Sequence, residues 1–135
     1  MDLDVIHGYL VQSYWARGIP RDLVARAIAG SLPVGAFTRD GAQVGFARVI
    51  TDTATFAYLA DVFVLESHRE KGLGRWLVES ILAHPGLGGL RRWMLATQDA
   101  HELYRSYGFR PLANPDRFME IHRPNPYLAT EGTTP

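Results

Sequence analysis

The sequence predicts a mixed α/β domain, and three observations carry that prediction. Strand-like segments at residues 34–38, 44–50 and 56–65 follow one another through short polar turns, as antiparallel neighbours do. The third runs directly into a glycine-containing loop and an amphipathic helix, over residues 62–78. A later apolar stretch, residues 91–97, leads into a second short helix that Gly108 stops.

The remaining elements fill in around these. Residues 7–15 read as a helix halted near Gly18, and Pro20 suits the first turn of the next one. Leu23, Val24, Ala27 and Ile28 give that helix its spacing, up to Gly30. Arg39-Asp40-Gly41-Ala42 makes a hairpin turn and Asp52-Thr53 another. Leu73, Trp76, Leu77, Ser80 and Ile81 put an apolar stripe on the helix after the glycine loop. Residues 84–89 loop back to the sheet. Asp99 is placed to cap a helix over residues 100–107. Residues 109–111 begin an edge segment, and residues 118–122 read as the last strand.

Composition narrows the function classes. A chain of 135 residues is one domain, long enough to bury about two-thirds of its unfolded surface. Residues 1–127 are expected to form it, with residues 128–135 a disordered tail rich in Thr, Gly and Pro. The formal net charge is zero, without a basic tail or stripe, so nucleic acid is not an expected partner. No apolar run approaches the ~20 residues of a membrane span, and a signal-peptide pattern is missing. A cytoplasmic protein without a membrane partner is the expectation. The absence of cysteine removes disulfides, zinc–thiolate sites and a cysteine nucleophile. His7, His84 and His101 lack metal-ligand spacing, so no metal is expected.

The glycine loop carries the first chemical signal. Bare backbone N–H groups stand where a strand gives way to a helix, at the positive end of the helix. A side chain at Gly72 or Gly74 would hold a ligand oxygen away from those amides. Arg69, Lys71 and Arg75 add positive charge, which suits a run of phosphate oxygens such as a pyrophosphate. A Walker loop is excluded, because Lys71 precedes Gly72 and Arg75-Trp76 follow Gly74. A dinucleotide fingerprint needs a third glycine in a βαβ unit, which also disfavours a nucleotide-binding protein. An ordinary helix N-terminus with a glycine turn remains the plain reading.

The pattern Arg69-x-x-Gly72-x-Gly74 after a Val-Phe-Val strand resembles the acetyl-CoA loop of the GNAT superfamily of N-acetyltransferases. Downstream, Leu103-Tyr104-Arg105-Ser106-Tyr107-Gly108-Phe109 resembles the Leu-Tyr-x-x-x-Gly-Phe run of many GNAT enzymes. The two have the family's order and separation, and the resemblance covers residues 34–122. It implies the GNAT fold, with a splayed central sheet flanked by helices and a shortened first strand within residues 1–6. It also implies transfer of an acetyl group from acetyl-CoA to a primary amine of a small molecule or peptide, by direct attack in a ternary complex. An acyl-CoA-binding sensor or interaction module with little transferase activity is the alternative.

The resemblance further implies site residues. Val62, Phe63 and Val64 would line the coenzyme's pantetheine arm, with Phe63 and Val64 bonding it through backbone and residues 93–97 as the splayed partner strand. An N–H near Val64 would polarise the thioester carbonyl. Arg69, Glu70, Lys71, Gly72, Leu73, Gly74 and Arg75 would hold the diphosphate, with Asp99 also in the coenzyme set. Tyr104 would protonate the departing thiolate, against a plain role as a buried aromatic. Asp61 is the candidate general base, against a structural carboxylate bonded to a neighbouring element. His122 and Glu66 are weaker candidates, and His68 is expected in the exposed loop. Acceptor recognition would fall to Tyr9, Tyr14, Trp15, Arg17, Arg21 and residues 114–117, with Phe46, Arg48 and Tyr58 facing it from the sheet. Trp15 reads first as a core residue and Tyr107 as packing. A homodimer through an exposed last strand is an open expectation.

Overall fold

A computed structural model describes residues 1–128. The elements run α1 (Leu3–Leu10), α2 (Arg21–Ala29), β1 (Leu32–Phe37), β2 (Gln43–Thr51), β3 (Phe56–Val64), α3 (Leu73–Leu82), β4 (Arg92–Met94) and α4 (His101–Arg105). The four strands form one mixed sheet in the order β1-β2-β3-β4. The first two pairings are antiparallel and the third is parallel. Helices flank this sheet, as the sequence predicts for a mixed α/β fold.

Local chemistry sets the element ends. The Asp2 carboxylate accepts from the N–H groups of Asp4 and Val5, which starts α1 at Leu3. Residues 1–6 therefore hold no first strand. Ile6 and Leu10, one turn apart, are the buried face of the helix. Pro20 stands just outside α2 as its N-cap, with extended backbone, instead of inside the first turn. Gly41, at φ +94°, closes the β1–β2 hairpin, where the Thr38 N–H donates to the Ala42 carbonyl. Asp52 closes the next turn by accepting from the N–H groups of Ala54, Thr55 and Phe56. Those donors and the Thr55 hydroxyl hold its carboxyl well below the usual carboxylate range.

The two sheet faces carry separate cores. On one side, Ile6, Leu10, Ile19 and Val24 of the α1–α2 layer pack on Phe46 and Phe63. On the other, Val78 and Ile81 of α3 pack on Ala47, Val49, Ala57 and Leu59. The α3 stripe differs from the predicted one: Val78 is buried, whereas Trp76 is exposed.

A bulge in β3 decides which residues face which core. Phe46 pairs with Phe63, but Arg48 pairs with Ala60, so two residues, Asp61 and Val62, lie opposite Ala47. Asp61 absorbs the extra residue in the left-handed region, at φ +55°. Aspartate tolerates that conformation better than most side chains. The alternation then flips. Ala57 and Leu59 face α3, whereas beyond the bulge it is Phe63 that faces the α1–α2 layer.

The C-terminal part departs further from the sequence reading. Asp99 does not cap α4; Ala100 is the N-cap, and the Thr97 hydroxyl accepts from the Ala100 N–H at 3.1 Å. The helix spans only His101–Arg105, and Gly108 at φ +99° terminates the turn after it. Residues 109–111 and 118–122 form no strand, because no neighbouring strand hydrogen-bonds them among the described residues. Of the expected tail, residues 129–135 lie outside the described part.

Phe46 is fully buried under the α1–α2 layer. Phe46→Ala is expected to destabilise the protein by about 3–5 kcal/mol, read as a lowered urea midpoint with little change in slope.

Candidate functional site

The site begins where two strands part. β3 and β4 pair only through Phe56–Arg92, Ala57–Trp93 and Tyr58–Met94. Beyond Met94 the chain leaves the ladder, and a cleft of about 660 Å³ opens. Leu59, Ala60 and Val62 form one wall; Leu95, Thr97 and Tyr104 belong to the other. The Leu65 N–H donates to the Val44 carbonyl, which fixes the strand's direction. Alternation then turns the N–H and C=O of Val64, and of Val62, away from β2 toward the open side. The same alternation turns the amide groups of Phe63 toward β2, so this residue contributes its ring. That ring stacks on Tyr9 at 4.0 Å between centroids.

At the end of β3 the chain makes a 3₁₀ turn over Glu66–His68 and enters the glycine loop. Glu70 (φ +65°) and Gly72 (φ +78°) are both left-handed. Gly72 is the N-cap of α3 and offers no side chain to the helix end. The first amides of α3, from Leu73, Gly74 and Arg75, therefore remain available to a ligand. A Cβ added at Gly72 or Gly74 would meet no heavy atom within 4 Å, so both glycines border open space. Lys71 and Arg75 are exposed beside the loop. Arg69 folds back: its Nε donates to the Val64 carbonyl at 3.1 Å, and an Nη donates to the Tyr9 hydroxyl at 3.2 Å. The guanidinium thus ties α1 to the loop.

Asp61 sits in a polar knot. Its Oδ2 accepts from Arg48 Nε at 2.6 Å and its Oδ1 from the Trp15 indole at 2.7 Å. The same guanidinium donates to the Ser31 hydroxyl at 2.9 Å. Both carboxylate oxygens are engaged, and the ion pair is largely shielded from solvent. This is the arrangement of a carboxylate that holds neighbours in place. Trp15, expected in the core, is 39% exposed and lies at the rim of the cleft. Tyr14 beside it accepts from the Gln98 N–H at 3.1 Å. The Tyr14-Trp15 pair therefore straddles the cleft, one ring bonded to each side.

Tyr104 is mostly buried in the cleft wall, with its ring edge-on to Phe109. Burial, then the proximity of Tyr14 and Asp99, pushes its phenol up to about 12. It stays protonated at any pH near neutrality. Asp99 lines the same cleft and so acts on Tyr104 through its charge, not as a helix cap. Tyr58 lines the cleft as well.

Other candidates lie elsewhere. His122 and Glu66 are exposed and line neither this cleft nor its neighbour, and His68 pairs with the Ser67 hydroxyl. Arg21 pairs with Asp4 on the surface. Asn114 and Arg117 line a separate hollow with Arg92. Tyr107 donates to Glu79 and belongs to packing around α3. Among the described residues, no cluster of three or more His, Cys, Asp or Glu is arranged for a metal ion. Sequence reasoning missed a second cavity, of about 480 Å³, between α2 and the sheet. Leu23, Ile28 and Phe46 line it, and it shares Trp15, Arg48 and Asp61 with the cleft. The aromatic doublet after the first helix was its one visible trace.

Residues 34–111 match the sequence model described as Acetyltransferase (GNAT) domain. A candidate acetyltransferase of Gibberella zeae is 32% identical over 124 residues, covering 77% of this chain and 70% of that protein. The crystal structure of a candidate GNAT-family acetyltransferase from Xanthomonas campestris pv. campestris is 52% identical. It superposes with a TM-score of 0.93, covering 96% of this chain and 91% of that one. A GNAT-family protein of Streptococcus pneumoniae is 27% identical, with a TM-score of 0.68 and 89% of each chain covered.

Two measurements test the site's framework. Arg48→Met leaves Asp61 without its charge partner and is expected to cost about 3 kcal/mol, whereas Arg48→Met with Asp61→Leu should recover much of it. Tyr104 titrates higher folded than unfolded, so its contribution to stability is complete below pH about 10 and is lost as pH rises toward about 12. Urea titrations across that window should show stability falling with pH, and Tyr104→Phe should flatten the fall.

Proposed function

The chain belongs to the GNAT acetyltransferase family, and we propose that it transfers the acetyl group of acetyl-CoA to a primary amine of a small molecule or peptide. The observation that carries this reading is the cleft between β3 and the chain after β4, with open helix amides at one end and Tyr104 in its wall. The loop suits a diphosphate, because its glycines border open space and its neighbours are cationic. The outward N–H groups of Val62 and Val64 and the Val62 carbonyl offer an added strand its hydrogen bonds, the Val64 carbonyl being taken by Arg69, which suits the two amides of a pantetheine arm.

The reaction then needs little from the protein beyond placement. The amine nitrogen attacks the thioester carbonyl, the C–N bond forms and the C–S bond breaks. The electron pair leaves on sulfur, and the proton shed by nitrogen reaches that sulfur through water in the cleft. A backbone N–H of β3 stabilises the developing oxyanion, typically by about 2.7–4 kcal/mol. Tyr104 faces the leaving sulfur as a hydrogen-bond donor. A phenol near 12 set against a thiol near 8.5 makes complete proton transfer uphill by more than about a thousandfold. Its contribution is therefore a hydrogen bond to the thiolate more than a proton given away. Asp61 positions Trp15 and Arg48 at the acceptor side, since both its oxygens are already taken.

Thiol release from acetyl-CoA over a panel of primary amines tests the activity. Turnover should appear with at least one amine and fall about 10–100-fold in Tyr104→Phe, chiefly in kcat. Tight acetyl-CoA binding without thiol release for any acceptor would instead make the chain an acyl-CoA-binding module. Gly72→Val forces a β-branched residue into a left-handed position and should weaken acetyl-CoA binding at least about tenfold while the fold persists. Arg69→Ala should weaken it less, since the amides do most of the holding. With no enzymic base, log kcat/KM should rise with unit slope from pH 6 to about 9. A plateau with an apparent pKa near 6–7 would show that a protein group takes the amine proton.

A further inference from the structure

We propose, on the acetyl-transfer reading above, that the acceptor is a primary monoamine with an aromatic or branched apolar body, and that the cavity between α2 and the sheet seats that body. The cavity measures about 480 Å³, within the ~300–1,000 Å³ usual for small-molecule sites. Of the thirteen described residues that line it, ten are apolar or aromatic. The other three, Arg26, Arg48 and Asp61, are charged.

The sequence of α2 explains why the space stays open. Leu23, Ala27 and Ile28 share one face of the helix, at i, i+4 and i+5, and all three line the cavity. Val24 is the one residue of α2 that is fully buried, whereas those three are only half-buried. Ala27 carries a single methyl where a longer side chain would fill the gap. Phe46 of β2 lines the cavity from the sheet. Such walls reward carbon surface, and a polar group seated among them would lose the hydrogen bonds it makes in water.

Position and charge choose the occupant. Trp15, Arg48 and Asp61 border both this cavity and the cleft where β3 and β4 part. A molecule seated under α2 therefore ends one side chain's breadth from the cleft, and an amine at that end reaches it past the exposed rim at Trp15. Arg26 and Arg48 against Asp61 leave the cavity lining one positive charge in excess. A polyamine would bring further ammonium groups against that charge, and the one carboxylate is already paired with Arg48. A monoamine keeps its single ammonium at the cleft end, where Asp99 lines the wall.

Thiol release from acetyl-CoA with ethylamine, butylamine, 3-methylbutylamine, 2-phenylethylamine and spermidine reads the preference. The kcat/KM should climb about fourfold per added methylene until the cavity is full, chiefly through KM. Spermidine should fall at least about tenfold below butylamine. Ala27→Phe fills the cavity from α2 and should cut kcat/KM for 2-phenylethylamine at least about tenfold, with acetyl-CoA affinity retained as the check on the fold. Leu23→Ala enlarges the same space and should move the optimum to a bulkier amine. Ligand-observed NMR reads the seat without turnover: 2-phenylethylamine should bind the protein, and Ala27→Phe should abolish the signal. Ethylamine or spermidine outrunning 2-phenylethylamine would overturn the proposal and leave acetyl transfer standing, as would turnover indifferent to both variants. Failure of 2-phenylethylamine to bind would also overturn it. Binding that Ala27→Phe abolishes, without thiol release for any amine, would support the seat and overturn acetyl transfer instead.

Discussion

The ion pair between Arg48 and Asp61 holds the molecule's least ordinary backbone in place. Asp61 sits in the left-handed region within a central strand, a conformation that costs of order 1 kcal/mol or more unless its surroundings fix it. Arg48 on β2 and Trp15 after α1 grip the carboxylate from two sides. The extra residue bends β3 and turns Phe63 from the α3 side to the α1–α2 side. One charge pair therefore links the strand's curvature, the assignment of residues to the two cores and the wall of the cleft.

The cleft follows from a second economy. β4 has only three paired residues, so the parallel ladder ends before it can close over β3. The N–H groups that β3 leaves facing outward at Val62 and Val64 have no partner in β2, whereas the Val64 carbonyl is taken by Arg69 Nε. At the far end, the unsatisfied N–H groups of α3 extend the same row of donors. These open groups belong to the backbone, so their placement depends on the fold more than on the identity of individual side chains.

Much of this was legible in the sequence. Residues 44–50 and 56–65 alternate or run apolar between turn residues, and Gly72 marks the start of α3. The helix start at Leu3 was missed because Asp2 caps through a hydrogen bond that apolar periodicity does not record. The bulge was invisible for a related reason: period-2 reasoning assumes that no residue is extra, and aspartate does not advertise a left-handed angle as glycine does. Trp15 was misread as core because size and hydrophobicity say nothing about an indole N–H bound to a carboxylate 46 positions away. The pattern of residues 118–122 suits a strand, but a strand needs a neighbour, and this chain presents none to it.

Trp15, Arg48 and Asp61 border both cavities, so a single partition of three side chains separates the space beside α2 from the space beside β4. The two spaces thus share their walls at these three side chains and nowhere depend on them separately. A substitution that moves any one of the three therefore reshapes both spaces at once.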